Sequence, residues 1–563
     1  MTISLAGGVS LTRLTWGLVI LFCADLVFSQ LIWSQDCTEH KGISVLFRQD
    51  LSVNRDLIHK RLRTRLVYRA KKTAIDIVEK IDSASLENLC AEYRKENTVL
   101  GCEINCKLKL NDRKSAPVDQ CETERSTRVE PESERGIQNF LKQFKCSPFP
   151  DQASLGKFDP SQMYGDRLSP LWAQEAIGLP EAQRTIEKLK KALPGNQLKI
   201  TPVGVIDVGF SPEYLPKKVS PELKACTQET CPQLLGTDKY GKFAILQKKH
   251  GTSVAHLIAH EGPVGIDSLL QISLLAVGSM EIVGSTDEML KSVHSTPAVV
   301  NISLALGAGP VTKECLRKLG DAAIVVVAAG NDFPQPINEN TATAGILVGS
   351  LAPDGLVSDF SQEDARVDIS APSDKLIPSF DHEGKITVFG GTSGAAPLVT
   401  GAVANVISLL PGITLPEMKL LVRNSAFSTT GTEFGNRRNG AGSLNFYKMI
   451  RVAEKLRNGW PGNRNELNSD KAFQFNSEAL SYYAQALKLN PDASCEVRKS
   501  RLALLRKAAF LVPENQAFRN ELAEMYENAG YSAQARFYRN PKDNLTHKEM
   551  RTKVESRVSG KNQ

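Results

Sequence analysis

The sequence predicts an α/β protein built on a doubly wound, mostly parallel sheet flanked by helices. Two observations carry this. Short apolar runs rich in β-branched residues occur at 203–207 (VGVID), 298–306 (AVVNISLAL), 323–329 (AIVVVAA) and 345–352 (GILVGSLA). Such runs suit strands buried on both faces of a parallel sheet. Amphipathic or apolar helical stretches alternate with them at 251–260, 312–320, 394–409 and 415–425. Strand–helix alternation from 159 to 457 is the pattern of an α/β layer domain.

The remaining sequence is organised around that block. With 563 residues and about 150 residues per domain, three or four domains are expected. Apolar residues make up 41% and charged residues 23%, which excludes collagen, a mucin-like stalk and a mainly disordered chain. The net charge of +7 is weak for this length. There is no dense Lys/Arg stripe, so nucleic acid is not an expected partner.

Residues 14–24 (LTWGLVILFCA) form an apolar run behind Arg13. They read as a secretory signal peptide over 1–29, cleaved after Ser29. An uncleaved membrane anchor over 16–33 is the alternative, with Asp25 costly in lipid. Export to periplasm or extracellular medium follows from the first reading. Eleven Cys occur; the leader takes Cys23, and Cys37, Cys90, Cys102, Cys106, Cys121 and Cys146 precede residue 150. Clustered, even Cys in an exported chain imply disulfides, with the pairing open. Cys226 and Cys231 close a short hydrophilic loop and could pair with each other. Without a C-x-x-C pair or clustered His, zinc is not expected.

Residues 30–158 therefore read as a Cys-rich N-terminal domain or a propeptide. Within them 53–95 has helical spacing (Leu57, Leu62, Leu66, Ile75, Ile77, Ile81), and 122–135 reads as a solvated loop. Residues 458–475 are polar and read as a linker. The stretch 476–541 reads as an α-helical domain resembling tetratricopeptide units, or as a plain helical cap on the central block. Such a domain is a candidate site for a protein partner. Residues 542–563 form a polar tail.

Three local patterns in the central block carry chemistry: Asp207 at the end of an apolar run, His250 in HGTSVA opening a helix, and Ser393 in GGTSGAAP before an apolar helix. Singly, each residue type is an ordinary turn or cap. Together they supply a hydrolytic triad at strand–loop–helix junctions, where α/β sheets hold their sites. Ser393 needs a base to take its proton as it attacks. His250 can take that proton and return it to the leaving amine. Asp207 would fix the imidazole tautomer and stabilise the imidazolium. Asn331, after the run at 323–329, can donate to a developing oxyanion.

With these residues in the order Asp, His, Ser, the block resembles the subtilisin family (subtilases) of serine endopeptidases. The resemblance runs from about Leu171 to about Lys455 and includes SLAL at 303–306, VGSLAPDGLVSDFSQEDARVDISAP at 348–372 and GAGSLNFYKMI at 440–450. It implies a subtilisin-like fold. It also implies an Asp207–His250–Ser393 triad, an oxyanion site at Asn331, and an acyl-enzyme on Ser393. Backbone atoms at Ser303, Leu304 and Ala305 would pair with an extended substrate, and Ala328, Ala329 and Gly330 would line the pocket for the side chain before the scissile bond. Protein or peptide substrates and no required cofactor follow. Calcium commonly stabilises this family, but no acidic ligand loop is traceable. Three departures stand out: Val208 where a hydroxyl residue is usual, His256 where Gly is usual, and Gly394 after the nucleophile. Val208 and His256 raise the alternative of a catalytically weak or inactive protein that binds peptides or partners. The tripeptides Asn301-Ile302-Ser303 and Asn544-Leu545-Thr546 match glycosylation sequons, the first within a strand expected to be buried.

Overall fold

The computed structural model describes residues 40–49, 54–70, 72–81, 85–106, 167–193, 201–217, 241–259, 272–278, 298–374, 376–429, 439–491 and 494–539, with isolated positions between them. The leader, the loop at 122–135, the Cys226–Cys231 loop and the polar tail lie outside the described residues. Cys37, Cys121 and Cys146 lie outside them as well.

The N-terminal part differs from the helical expectation. It is a βαββαβ unit: β1 (His40–Phe47), α1 (Arg55–Arg61), β2 (Thr64–Arg69), β3 (Ile75–Lys80), α2 (Leu86–Arg94) and β4 (Val99–Cys106). The antiparallel sheet has the order β2-β3-β1-β4. Leu57 and Ile81, read as part of a helical face, are 62% and 69% exposed. The two-residue period decides instead. Ile43, Val45 and Phe47 face α1 and α2, while Leu46, Ile75 and Ile77 face the other way. Cys90 on α2 and Cys102 on β4 form a disulfide. It closes a short loop, worth about 3 kcal/mol against the unfolded chain.

The central sheet has the strands β5 (Thr201–Asp207), β6 (Ile272–Gly278), β7 (Val299–Ile302), β8 (Ile324–Ala328), β9 (Ile346–Leu351) and β10 (Ile369–Pro372). They lie in the order β10-β9-β8-β7-β5-β6, all parallel. Strands β7, β8, β9 and β10 are buried at every position, as expected between two helical layers. The run at 298–306 is a strand only to Ile302; its remainder is the segment that enters the site.

One face carries α3 (Trp172–Ala176), α4 (Leu179–Ala192), α5 (Gly241–Ala259) and α8 (Thr392–Leu409), with α9 (Leu415–Ser425) and α10 (Phe446–Arg457) outside them. Helix α8 is apolar and long enough to cross a membrane, but it is almost wholly buried in the protein core. The other face carries α6 (Pro310–Ala322); α7 (Glu339–Thr343) packs beside it. Here the N-terminal sheet docks: Leu46, Ile75 and Ile77 join Val311, Leu316 and Leu319 in one apolar cluster.

Polar contacts fix that docking. Tyr68 Oη and the Lys72 N–H donate to Asp287 at 2.6 and 2.7 Å. Glu103 on β4 accepts from the Thr312 N–H (3.1 Å) and hydroxyl (2.9 Å) at the start of α6. The N-cap of α6 is Gly309, which has no side chain to cap with, so Glu103 caps that helix from another domain. Burial, partly offset by the Thr312 bonds, holds the Glu103 carboxyl above the usual carboxylate range. The docked state thus binds the proton more tightly than the undocked one. The contribution is full below the ordinary carboxyl pKa and declines as pH rises through the raised value. Amide-exchange protection of residues 40–106 in the full Ser393→Ala chain is expected to fall from pH 4 to 8, and Glu103→Gln is expected to flatten that dependence.

The C-terminal helices are not strung on a free linker. Residues 458–475 include a 3-10 turn at Arg464–Asn468 and α11 (Asp470–Phe473), with Leu467 and Ala472 buried. Next come α12 (Asn476–Leu487), α13 (Cys495–Leu511), α14 (Gln516–Asn528) and α15 (Ser532–Tyr538), with α12 against α13 and α14 against α15. Phe510, Phe518, Tyr526 and Phe537 belong to the same core as Trp172, Ile177 and Phe446. At the centre of this junction Arg506 donates to both Glu181 oxygens at 3.0 Å, to Tyr526 Oη at 2.8 Å and to the Glu175 carbonyl at 2.6 Å. The Glu175 carboxyl accepts from Ser169, Tyr526 and Gln534. Burial pushes Glu175 up, whereas the Arg506 guanidinium holds Glu181 down against its burial.

Candidate active site

Two of the expected site residues, Asp207 and His250, come together where β5 meets α5, and α8, which carries Ser393, packs against α5. Strand β5 ends on Asp207, which is fully buried. Helix α5 begins at Gly241, so His250 lies inside the helix, not ahead of it. His250 Nδ1 donates to Asp207 Oδ1 at 2.7 Å. That bond puts the proton on Nδ1 and leaves Nε2 as the basic nitrogen. Close approach of helix and strand requires Gly251, because a Cβ there would collide with the Gly209 carbonyl oxygen. Phe389 stands edge-on to the His250 ring at 5.2 Å and walls off one side of it. Phe389 ends the hairpin of β11 (Ile377–Phe380) and β12 (Ile386–Phe389). The hairpin is tied to α5 through Ser253 and Ser379 by bonds of 3.0 and 2.8 Å.

The second oxygen, Asp207 Oδ2, is buried with no donor among the described residues. Both bonds go to Oδ1, the other from the Val208 N–H at 2.8 Å. Val208 therefore has a visible consequence: no side-chain hydroxyl follows the carboxylate. Val208→Thr places a donor next to it in the chain. A typical hydrogen bond contributes about 1 kcal/mol net, so kcat on a peptide substrate is expected to rise about fivefold or more. Val208→Ala should give no such gain.

The other departures are accommodated. His256 Nε2 bonds the Tyr214 carbonyl at 2.6 Å, and its ring lies 5.0 Å from that of Phe380. It therefore does not wedge α5 from the sheet. At Gly394 a side chain would press on Ser373 and Ile377; the glycine lets α8 start tight against β11.

Ser393 is the second residue of α8. Its hydroxyl donates to the Ser303 carbonyl at 3.2 Å. Asn331 follows β8, and its Oδ1 accepts from the Thr392 N–H and hydroxyl, both at 2.9 Å. With Oδ1 committed, the Nδ2 donors are turned the other way. Thr392 Oγ1 also accepts from the Gly330 N–H at 3.1 Å. Thr392 thus fixes the orientation of the Asn331 amide, a role legible only once the two segments are seen side by side.

The segment 303–305 continues β7 past the sheet. Ser303 and Leu304 are buried and Ala305 is half-buried, so any pairing there must use the backbone. Ala328 packs into the main core, and Ala329 packs with Ile337, Leu347 and Val367 in a small separate cluster. Of the three residues expected to line a pocket, Gly330 keeps the most exposure. Among the described residues no group of three or more His, Cys, Asp or Glu could hold a metal ion.

Residues 200–449 match the sequence model described as the Subtilase family. The chain is 30% identical to the "Intracellular serine protease" of Paenibacillus polymyxa over 28% of its own length and 52% of that protein. It is 34% identical to the "Extracellular serine proteinase" of Thermus sp. (strain Rt41A) over 22% of its own length and 30% of that protein. It is 29% identical to the "Major intracellular serine protease" of Bacillus subtilis (strain 168) over 42% of its own length and 79% of that protein. The chain thus spans about half or less of the first two relatives. With the parallel sheet and the Asp–His bond in place, the segment 200–449 is similar to the subtilase family of serine proteases.

Proposed function

We propose that the chain is an exported serine endopeptidase that cleaves peptide bonds through Asp207, His250 and Ser393. The observation that carries this is the 2.7 Å bond from His250 Nδ1 to buried Asp207, with Ser393 at the start of the neighbouring α8. His250 Nε2 takes the Ser393 proton as Oγ attacks the substrate carbonyl. The resulting imidazolium is stabilised by Asp207 and then protonates the leaving amine. The oxyanion is received by Asn331 Nδ2 and the Ser393 N–H at the positive end of α8. In the free enzyme the Ser393 hydroxyl rests on the Ser303 carbonyl, so it must turn toward Nε2 as substrate binds. Water then hydrolyses the acyl-enzyme. No cofactor enters this scheme.

Export is supported by the leader pattern and by the Cys90–Cys102 disulfide, a bond suited to an oxidising compartment. The N-terminal unit docks on α6, directly after the substrate-side segment 303–309. That position suits a segment that assists folding and holds the cleft until it is cut away. Sequencing the mature N-terminus checks this: a start near 150–165 supports removal, and a start near 30 supports retention.

The activity test is digestion of denatured casein by the purified exported form beside Ser393→Ala. Cleavage by the parent alone is expected. Equal cleavage by both rejects the mechanism. No cleavage by either, even after trimming residues 30–158, favours the binding-protein reading that Val208 invites.

A further inference from the structure

Pro397 lies inside α8. A proline has no N–H, so the carbonyl four residues before it, that of Ser393, lacks its helical partner. The Ser303 hydroxyl takes that place, donating to the Ser393 carbonyl at 3.2 Å. Ser303 Oγ in turn accepts from Asn301 Nδ2 at 3.0 Å. Asn301 Oδ1 accepts from the Thr400 hydroxyl at 2.9 Å, a proton Thr400 shares with the Ala396 carbonyl at 3.0 Å. Asn301 and Thr400 are 0% exposed and Ser303 is 2% exposed. The donors and acceptors run one way along the whole chain: Thr400 to Asn301, Asn301 to Ser303, Ser303 to the nucleophile's own carbonyl.

We infer that Asn301 and Thr400 are positioning residues for Ser393, acting through the Ser303 hydroxyl. The relay rests on the proposed peptidase function. It joins the middle of α8 to the strand that precedes the substrate segment, and it closes on the first turn of the same helix. The two ends are seven residues apart on α8, and the link between them runs through β7. The rotation of the Ser393 backbone, and with it the direction of Oγ and of the Ser393 N–H, is set by this link. The ordinary helical bond that would otherwise hold it is absent. A buried polar chain with every member satisfied specifies one arrangement, whereas a chain with one member removed leaves the others unpaired. Asn301 heads an Asn-Ile-Ser sequence that resembles a glycosylation sequon. Its burial and both of its bonds assign it to the relay instead.

The test reads Ser393 without a peptide: the rate at which a small fluorophosphonate adds to the full chain, with Ser393 Oγ bonding phosphorus and fluoride leaving, followed by intact mass. Thr400→Val keeps the shape and removes the hydroxyl; it is expected to slow labelling about five- to twentyfold. Thr400→Ser keeps the hydroxyl and is expected to label within about twofold of the parent. Ser303→Ala is expected to slow labelling at least as much as Thr400→Val. The Ser303→Ala/Thr400→Val double variant is expected to be no slower than Ser303→Ala, because both cut one chain. On a peptide substrate the loss is expected in kcat, with KM nearly unchanged. A Thr400→Val protein that melts lower but labels at the parental rate overturns the inference, as do losses that multiply. A parent that does not label overturns this reading and the peptidase reading together; a parent that labels beside an unaffected Thr400→Val overturns this one alone.

Discussion

Arg506→Ala is expected to destabilise the whole central domain by about 3–5 kcal/mol, the cost of leaving a buried charge without its partner. Arg506 and Glu181 are both almost fully buried. They are 325 residues apart in sequence. Without the guanidinium, the ion pair left to the Glu181 carboxylate among the described residues is with Arg184, at 3.4 Å and half exposed. The Tyr526 and Tyr538 hydroxyls lose a donor at the same time. Urea unfolding followed by tryptophan emission checks this, because Trp172 is fully buried within the same core. The control is Arg506→Met with Glu181→Leu, which removes both charges and keeps the volume. It is expected to recover most of the loss, since apolar replacement of a buried pair is often neutral. A single variant as stable as the parent would mean that the helical tail is docked by its apolar surface alone.

Asn331→Leu is expected to lower kcat by about 10²–10³ with little change in KM, the range found for removing one such donor in subtilisin itself. The reason is geometric. Asn331 Oδ1 is held by Thr392, so Nδ2 is pre-aimed and needs no reorganisation as charge develops. Leu keeps the bulk and removes the donor. Leu also leaves the Thr392 N–H and hydroxyl without their acceptor, so thermal melting of the variant is expected to fall, and kcat is compared at a temperature where both proteins are folded. A fall in KM-controlled binding without a fall in kcat would place Asn331 on the substrate and not on the oxyanion.

The central sheet was legible because strands buried on both faces must be apolar throughout, and β5, β7, β8 and β9 announce themselves that way. β6 was not read: ISLLAVG is equally apolar, but such a run does not tell strand from buried helix by periodicity. The N-terminal unit was misread for a related reason. IDIV at 75–78 is buried on both sides, Ile75 and Ile77 against α6 and Asp76 and Val78 against the unit's own helices. Its leucines then happened to fit a helical spacing. Asp207, His250, Ser393 and Asn331 were each placed from local motifs. The residues that hold them, Thr392 on Asn331 and Asn301 with Thr400 on Ser393, depend on which segments lie side by side. The junction of Arg506 with Glu181 and Glu175 was invisible for the same reason. Charged residues at helical spacing look solvated until another helix covers them.

The measurement that bears most directly on the central claim is mapping of the fluorophosphonate adduct on the full exported chain. A single adduct on Ser393, lost in His250→Ala at unchanged melting temperature, is the result expected of an assembled Asp207–His250–Ser393 triad. Labelling that persists in His250→Ala at the parental rate, or an adduct on another residue, would contradict it.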